Sequence, residues 1–362
     1  MSFHFAKYTW LRNKRRLADP RGVLERRWFK ALRHEFYDSL WRDAAMSVGA
    51  RAKSRPGGLT QITRGDLATF VDQSDLMLDS TVATRVIGNK ALTYELLAAK
   101  GLRTPKRYEY DLSTLEQAAD FMQEIDGPVV VKPADGTAGG YGVTTGIRTR
   151  AELRAASWHA SEFHARNRSL LVEEQLSGSS YRLLYLNGEF IDAVRRDSPI
   201  VIGDGKSTVR QLVQAENRRR RCTRPISALS PLIIDQESLN SLAVQQMSAG
   251  SVPGVGESVR VKLAVNQNAS AQNHVVREEV NEETIDICSR IVQQVGVKFA
   301  GIDLTSHDIS ASIEDGDTVF NEINTSPGIH HHYLVANPEN GARVAPFLLE
   351  RIFATRSGVI EL

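Results

Sequence analysis

Cysteine is nearly absent: 362 residues hold two, Cys222 and Cys288. They form neither a metal-binding spacing nor a disulfide framework, so both read as packing residues, and a reducing cytoplasm is the expected compartment. No apolar run is long enough to span a bilayer. The N-terminus, MSFHFAKYTWLRNKRR, lacks a secretory apolar region with a small-residue cleavage site, and its basic and aromatic mix is unlike a transit peptide. A large charge excess is missing too, and a net charge of +2 gives no overall argument for nucleic acid. There is no internal repeat and no low-complexity tract. What remains is a chain with 41% hydrophobic and 24% charged residues, ordinary for a soluble globular protein of two or three structural units.

The most informative stretch is Val319–Tyr333, VFNEINTSPGIHHHY. Its first residues alternate with the period of a strand, which predicts Phe320, Glu322 and Asn324 on one face and Val319, Asn321 and Ile323 on the other. A carboxylate beside an amide oxygen is a hard-oxygen patch that suits Mg²⁺. An edge strand with solvated polar residues explains the segment equally well. Lys298–Leu304, KFAGIDL, reads as the neighbouring strand and adds Asp303 to the set.

Upstream, Lys7 to Arg55 is basic, and Leu24, Trp28, Leu32, Phe36 and Leu40 recur at intervals of four, which predicts a helix with one apolar stripe. That helix either packs on the domain or offers its charges to an anionic partner. Arg51 to Gly58 reads as a loop. Asn89 to Leu102 reads as a helix closed by Gly101. Ser113 and Glu116 predict a capping box. Val129–Pro133 reads as a buried strand that delivers Lys132 to the loop DGTAGGYG, where Gly136, Gly139, Gly140 and Gly142 let backbone N–H groups approach a polyanion closely. Strand, loop and strand is neither a Walker loop nor a dinucleotide fingerprint, and an ordinary hairpin is the plain alternative. Leu170–Leu176 is a strand carrying Glu173 and Glu174. Asn187-Gly188 predicts a tight hairpin between Tyr181–Leu186 and Phe190–Val194. A helix is expected from Thr208 to Glu216, a polar basic stretch over 218–256, a strand from Ser258 to Val265, and a helix from Glu282 to Gly296.

In order, VVVKPADGTAGGYGV, LVEEQLSGSSYRLL, VIGDGKSTVRQLV, AGIDL and NEINTSPG resemble the ATP-grasp superfamily, and more closely the ATP-grasp module of cyanophycin synthetase and of bifunctional glutathione synthetases. The resemblance covers Asn89 to the C-terminus. It implies an α+β ATP-grasp fold, with two lobes clasping ATP between antiparallel sheets and a short basic helical N-terminal region. The implied division is 1–85 for that region and 86–362 for the ATP-grasp domain, with an ATP-binding small lobe at 128–200 and a metal-binding lobe at 201–362.

By the resemblance, Lys90 and Lys132 would sit on the ATP phosphates, Gly136–Gly142 would close over them, and Glu173 would hold the adenine. Asp303, Glu322 and Asn324 would bind two Mg²⁺ ions, with Mn²⁺ as the alternative. Arg182 and Arg196 match arginines that face the reacting centre in relatives; surface ion pairs are their plain alternative. Relatives usually carry an acid for the ribose where this chain has Ser180, which makes Glu174 the substitute. Lys262 before the loop NQNASAQNH, Asn268 within it, and His332 are the substrate-side candidates. Zinc binding and simple solvent exposure are the other readings of His330, His331 and His332.

The implied activity is Mg²⁺-ATP-dependent amide formation between an amino acid or small peptide and an amine, through an acylphosphate. A kinase and a nucleotide-binding module without turnover are the rivals. The implied partners are small-molecule or peptide substrates, not nucleic acid or a membrane, and a homodimer is left open. No Mur-ligase-like segment follows Leu362, so the second cyanophycin activity is not expected.

Overall fold

The computed structural model describes residues 20–134, 142–163 and 169–362. In chain order, helix α1 (Pro20–Ser47) precedes strands β1 (Arg51–Ser54), β2 (Thr60–Arg64), β3 (Leu67–Asp72) and β4 (Asp75–Leu76). Next come α2 (Thr81–Gly88), α3 (Lys90–Ala98), β5 (Arg107–Tyr110), α4 (Leu115–Glu124), β6 (Val129–Pro133), β7 (Thr144–Ile147), α5 (Arg150–Ser161) and β8 (Leu170–Glu174). Strands β9 (Ser179–Leu186), β10 (Glu189–Arg196) and β11 (Ile200–Ile202) lead to α6 (Val209–Cys222), α7 (Gln236–Val244), β12 (Ser258–Arg260) and β13 (Asn273–Val275). The chain finishes with α8 (Glu282–Gln294), β14 (Phe299–Ser306), β15 (Val319–Thr325), α9 (Val344–Thr355) and β16 (Ile360–Glu361). No helix among the described residues is long and apolar enough to cross a membrane. The chain divides into two compact units, one of Met1–Lys30, Pro105–Leu176 and Ser198–Asn268, the other of Ala31–Thr104, Ser177–Asp197 and Ala269–Leu362.

The first unit is built on a four-stranded antiparallel sheet in the order β5-β8-β6-β7. Val129, Val131, Leu170 and Val172 pack with Ala118 and Met122 of α4 and Leu153 and Ala156 of α5. Helix α4 starts differently from expectation. The Ser113–Glu116 capping box does not form, because Asp111 Oδ1 takes the Ser113 and Thr114 backbone N–H groups and the Ser113 hydroxyl instead. A second core joins the antiparallel pair β11-β12 to α6 and α7 through Val201, Val209, Val213, Leu232, Leu242 and Val259. The stretch read as merely polar and basic therefore contributes structure. Helix α6 runs on to Cys222, and buried Arg220 donates to the carbonyls of Ser230 and Gln267 and pairs with Glu216. The strand expected to reach Val265 stops at Arg260.

In the second unit the N-terminal stretch holds a sheet as well as the expected helix. Strands β1, β2, β3 and β16 pair in that order, and β4 pairs with β3. The loop read over 51–58 is thus a strand and a turn, since Arg51–Ser54 pairs residue by residue with Thr60–Thr63. The predicted stripe on α1 is also corrected. Leu24 and Trp28 are 56% and 58% exposed, whereas Leu32, Tyr37, Trp41, Ala44 and Ala45 are buried. A strict four-residue spacing advances about 40° per step beyond one turn of a 3.6-residue helix, so five such positions cannot keep to one face.

The larger sheet of this unit is β13-β10-β9-β14-β15, antiparallel throughout. One face is apolar: Leu183, Ala193, Ile302 and Ile323 pack on Cys288, Ile291 and Val292 of α8 and on Ile87 and Leu97. The period-2 pleat sends Arg182, Asp303, Glu322 and Asn324 to the opposite face. The alternation expected for VFNEIN fails at one point. A register shift inserts Asn321 between Phe320, opposite Leu304, and Glu322, opposite Asp303. Phe320 consequently joins Ile323 in the core and does not share a face with Glu322. Gly301, opposite Asn324, leaves room for the turn after β15, where an added Cβ would lie 2.7 Å from that of Pro327.

Candidate active site

Three adjacent strands set one row of charge. Arg182 on β9 faces Asp303 on β14, which faces Glu322 on β15. The Arg182 Nε and Nη2 atoms each donate to an Asp303 oxygen at 2.6 Å, a two-pronged pair buried on the sheet. Asn324 Nδ2 donates to Asp303 Oδ2 at 3.2 Å, and Lys90 Nζ donates to Glu322 Oε1 at 2.6 Å. Arg196 enters on the same face from β10, two residues past Val194, which opposes Arg182.

Burial works against the Arg182 charge, but Asp303 outweighs it and leaves the guanidinium above its usual pKa. Arg196 goes the other way: burial, then the Arg182 charge, brings it down to about 10. Two buried guanidiniums on one face make a locus suited to a reacting anion.

The donor set fits a hard divalent cation. Two carboxylates and an amide oxygen stand side by side, and each carboxylate oxygen that accepts one hydrogen bond keeps a second lone pair. Among the described residues no group of three or more His, Cys, Asp or Glu side chains gathers to hold a metal.

In the first unit Lys132 and Glu173 are both buried and pair at 2.7 Å across β6 and β8. Glu174 is engaged at the sheet edge, where its Oε1 accepts from Lys106 N at 2.9 Å. Gly142 is described, with φ +80°, while Gly136, Gly139 and Gly140 lie outside the described residues. Lys262 sits between Asp235 at 2.6 Å and Glu237 at 3.5 Å. Asn268 is buried where the short turn Val265–Gln267 ends. Glu237 gave no signal in the sequence beyond its place in the polar basic stretch 218–256, yet it accepts from Leu263 N, Ala264 N and the Thr145 hydroxyl. Burial pushes its carboxyl pKa up, against the pull of Lys262.

The three histidines have three different polar partners. His330 Nδ1 is 2.8 Å from the Tyr37 hydroxyl, His331 Nε2 is 3.5 Å from Arg196 Nη2, and His332 Nδ1 is 2.8 Å from Asp192 Oδ2 in a fully buried pair. Three separate partners do not make a zinc site. Burial first, then Arg33, Arg196 and Arg182, holds His330 well below 6.5; burial, then Arg196 and His330, does the same for His331. Folding therefore keeps both rings neutral at pH values where the unfolded chain protonates them. The unfolding free energy is expected to decline as pH falls below about 6.5. The double variant His330→Gln, His331→Gln should show a shallower decline in urea titrations at pH 7 and 5.5.

The α+β architecture of helices and antiparallel sheets is the ATP-grasp fold expected from the motifs. A crystal structure of a bifunctional glutathione synthetase from Pasteurella multocida superposes with a TM-score of 0.52 at 19% identity, over 87% of this chain and 43% of that one. In sequence the chain is similar to cyanophycin synthetase of Trichormus variabilis, 28% identical over 308 residues, which is 81% of this chain and 34% of that protein. It is also similar to the glutathione biosynthesis bifunctional protein GshAB of Listeria innocua, 26% identical over 317 residues, 86% of this chain and 41% of that protein. The chain thus spans well under half the length of these relatives. No protein-family model matches it.

Proposed function

We propose that the protein is an ATP-dependent ligase that joins the carboxylate of an amino acid or small peptide to an amine, releasing ADP and phosphate. The row Arg182, Asp303, Glu322 with Arg196 on the same face carries this reading, because it pairs hard-oxygen ligands with buried cations.

The roles follow from charge. Asp303, Glu322 and Asn324 would hold Mg²⁺, which when bound neutralises phosphate oxygens. Lys132 and Lys90 would meet ATP phosphates, with Glu173 and Glu174 toward the base and ribose and the 136–142 loop over the phosphates. Arg182 and Arg196 would balance the charge that develops as a substrate carboxylate attacks the γ-phosphate, a transfer that needs alignment and electrostatic stabilisation more than covalent help. An amine then displaces phosphate from the acylphosphate. Lys262, Asn268 and His332 are proposed on the substrate side, His332 acting through its buried bond to Asp192 rather than by direct contact.

The test is ADP and phosphate release with Mg²⁺-ATP across a panel of amino acids and short peptides, with mass spectrometry of the products. A product mass equal to acid plus amine minus water is expected. A stable phosphorylated product formed without any amine would assign a kinase instead, and ATP binding with no turnover across the panel would overturn the catalytic reading.

A further inference from the structure

A cleft of about 400 Å³ opens in the second unit between α1 and the start of α9. Helix α1 supplies Leu40, Asp43 and Ala44, a spacing of three and four residues that puts them on one side of the helix. Tyr333, Arg343 and Pro346 line the cleft from the other segment. His332 backs it, fully buried and held by Asp192 at 2.8 Å. The size, and the mix of apolar walls with a few polar groups that fix orientation, are those of a small-molecule site.

Two of the polar groups carry opposite charge and do not meet. No ion pair joins Asp43 to Arg343, although both line the same cleft. The Asp43 carboxylate has the Ser39 hydroxyl alone, at 3.5 Å. The Arg343 guanidinium has no hydrogen bond or ion pair among the described residues. A third group is half used. The Tyr333 hydroxyl accepts from Ala345 N at 2.7 Å, and its own proton has no acceptor among the described residues. Burial keeps that proton in place, with the pKa pushed up to about 12, against the pull of the Ala345 N–H and the Arg343 charge. Arg343 and Tyr333 are thus neighbouring donors, and Asp43 is a separate acceptor.

We propose that this cleft binds a free α-amino acid with an aliphatic side chain. The carboxylate of the ligand accepts from Arg343 and the Tyr333 hydroxyl, charge-assisted bonds of the stronger kind. Its ammonium group donates to Asp43, and Leu40, Ala44 and Pro346 cover its side chain. A zwitterion bridges the two charges that the protein leaves apart; a plain amine or a plain acid satisfies one and abandons the other. The site is separate from the row Arg182, Asp303, Glu322, but one turn serves both. His332 lines the cleft, and His331 before it lies 3.5 Å from Arg196.

The test needs no ATP, so its outcome is independent of the ligase assay. Binding of leucine, isoleucine and valine is measured by calorimetry, each beside the amine lacking its carboxylate and the acid lacking its amino group. Saturable binding of at least one of the three is expected, with both of its analogues at least about tenfold weaker. Asp43 and Arg343 are exposed, so Asp43→Asn and Arg343→Gln should leave urea denaturation unchanged. Each should weaken binding roughly 10- to 100-fold. Glu322→Gln, on the charged face, should bind as wild type does. No saturable binding by any of the three amino acids, equal binding of the analogues, or binding that survives both cleft variants would overturn the proposal. Loss of binding in Glu322→Gln would overturn it too, by moving the ligand to the charged face.

Discussion

Asp303→Ala is expected to lower the unfolding free energy by about 3–5 kcal/mol and to abolish ADP release. The stability loss comes from Arg182, whose side chain is only 9% exposed and whose Nε and Nη2 both donate to Asp303. Removing the carboxylate leaves a charge in a site that water barely reaches, next to the Arg196 charge that already opposes it. The loss of activity has a different origin, the removal of a proposed Mg²⁺ ligand. The double variant Arg182→Met, Asp303→Leu separates the two. It replaces the pair with apolar groups of similar size, and such exchanges are often neutral or stabilising. Urea denaturation should show stability restored to near wild type, while ADP release stays absent. Recovery of turnover in that variant would show that neither Arg182 nor Asp303 serves the reaction.

Glu322→Gln should have the opposite profile, a small change in stability and a fall in ADP release on the order of 10³-fold. The Lys90–Glu322 pair is partly exposed, 14% and 31%, so its contribution to folding is about 1 kcal/mol or less. Gln retains an oxygen for Lys90 but not the charge that a divalent cation requires. Rates measured against Mg²⁺ concentration should show the variant needing more metal. An unchanged rate at low Mg²⁺ would remove Glu322 from the ligand set.

The face that carries these residues was legible because strand alternation is a local rule. AGIDL and NEIN place Asp303, Glu322 and Asn324 from sequence spacing alone, and the hairpin at Asn187-Gly188 fixes β9 against β10. What failed was non-local. The extra residue at Asn321 is visible only as a register shift against β14, so Phe320 was assigned to the wrong face. The strand Arg51–Ser54 has burial too slight to show a pattern and owes its identity to its partner Thr60–Thr63. Partnerships between distant residues were hidden in the same way. Nothing in the sequence links Asp192 to His332, Tyr37 to His330, or Glu237 to Thr145, since each bond depends on the finished chain path. The Ser113 capping box failed to a nearer competitor, Asp111, whose carboxylate accepts from the Ser113 N–H and hydroxyl.

The last strand, Ile360–Glu361, pairs with Leu67–Ala68 near the beginning. A ribosome makes Leu67–Ala68 long before Ile360–Glu361. Every segment of the first unit precedes Ala269, so that unit has its full complement while the second still lacks β14, β15 and β16. Throughout that interval β9 has β10 but not β14 beside it, with Arg182 made and Asp303 not yet translated, and Leu67–Ala68 of β3 wait for their partner. The nascent second unit therefore spends most of its synthesis as an unfinished sheet, the state in which holding chaperones find their clients.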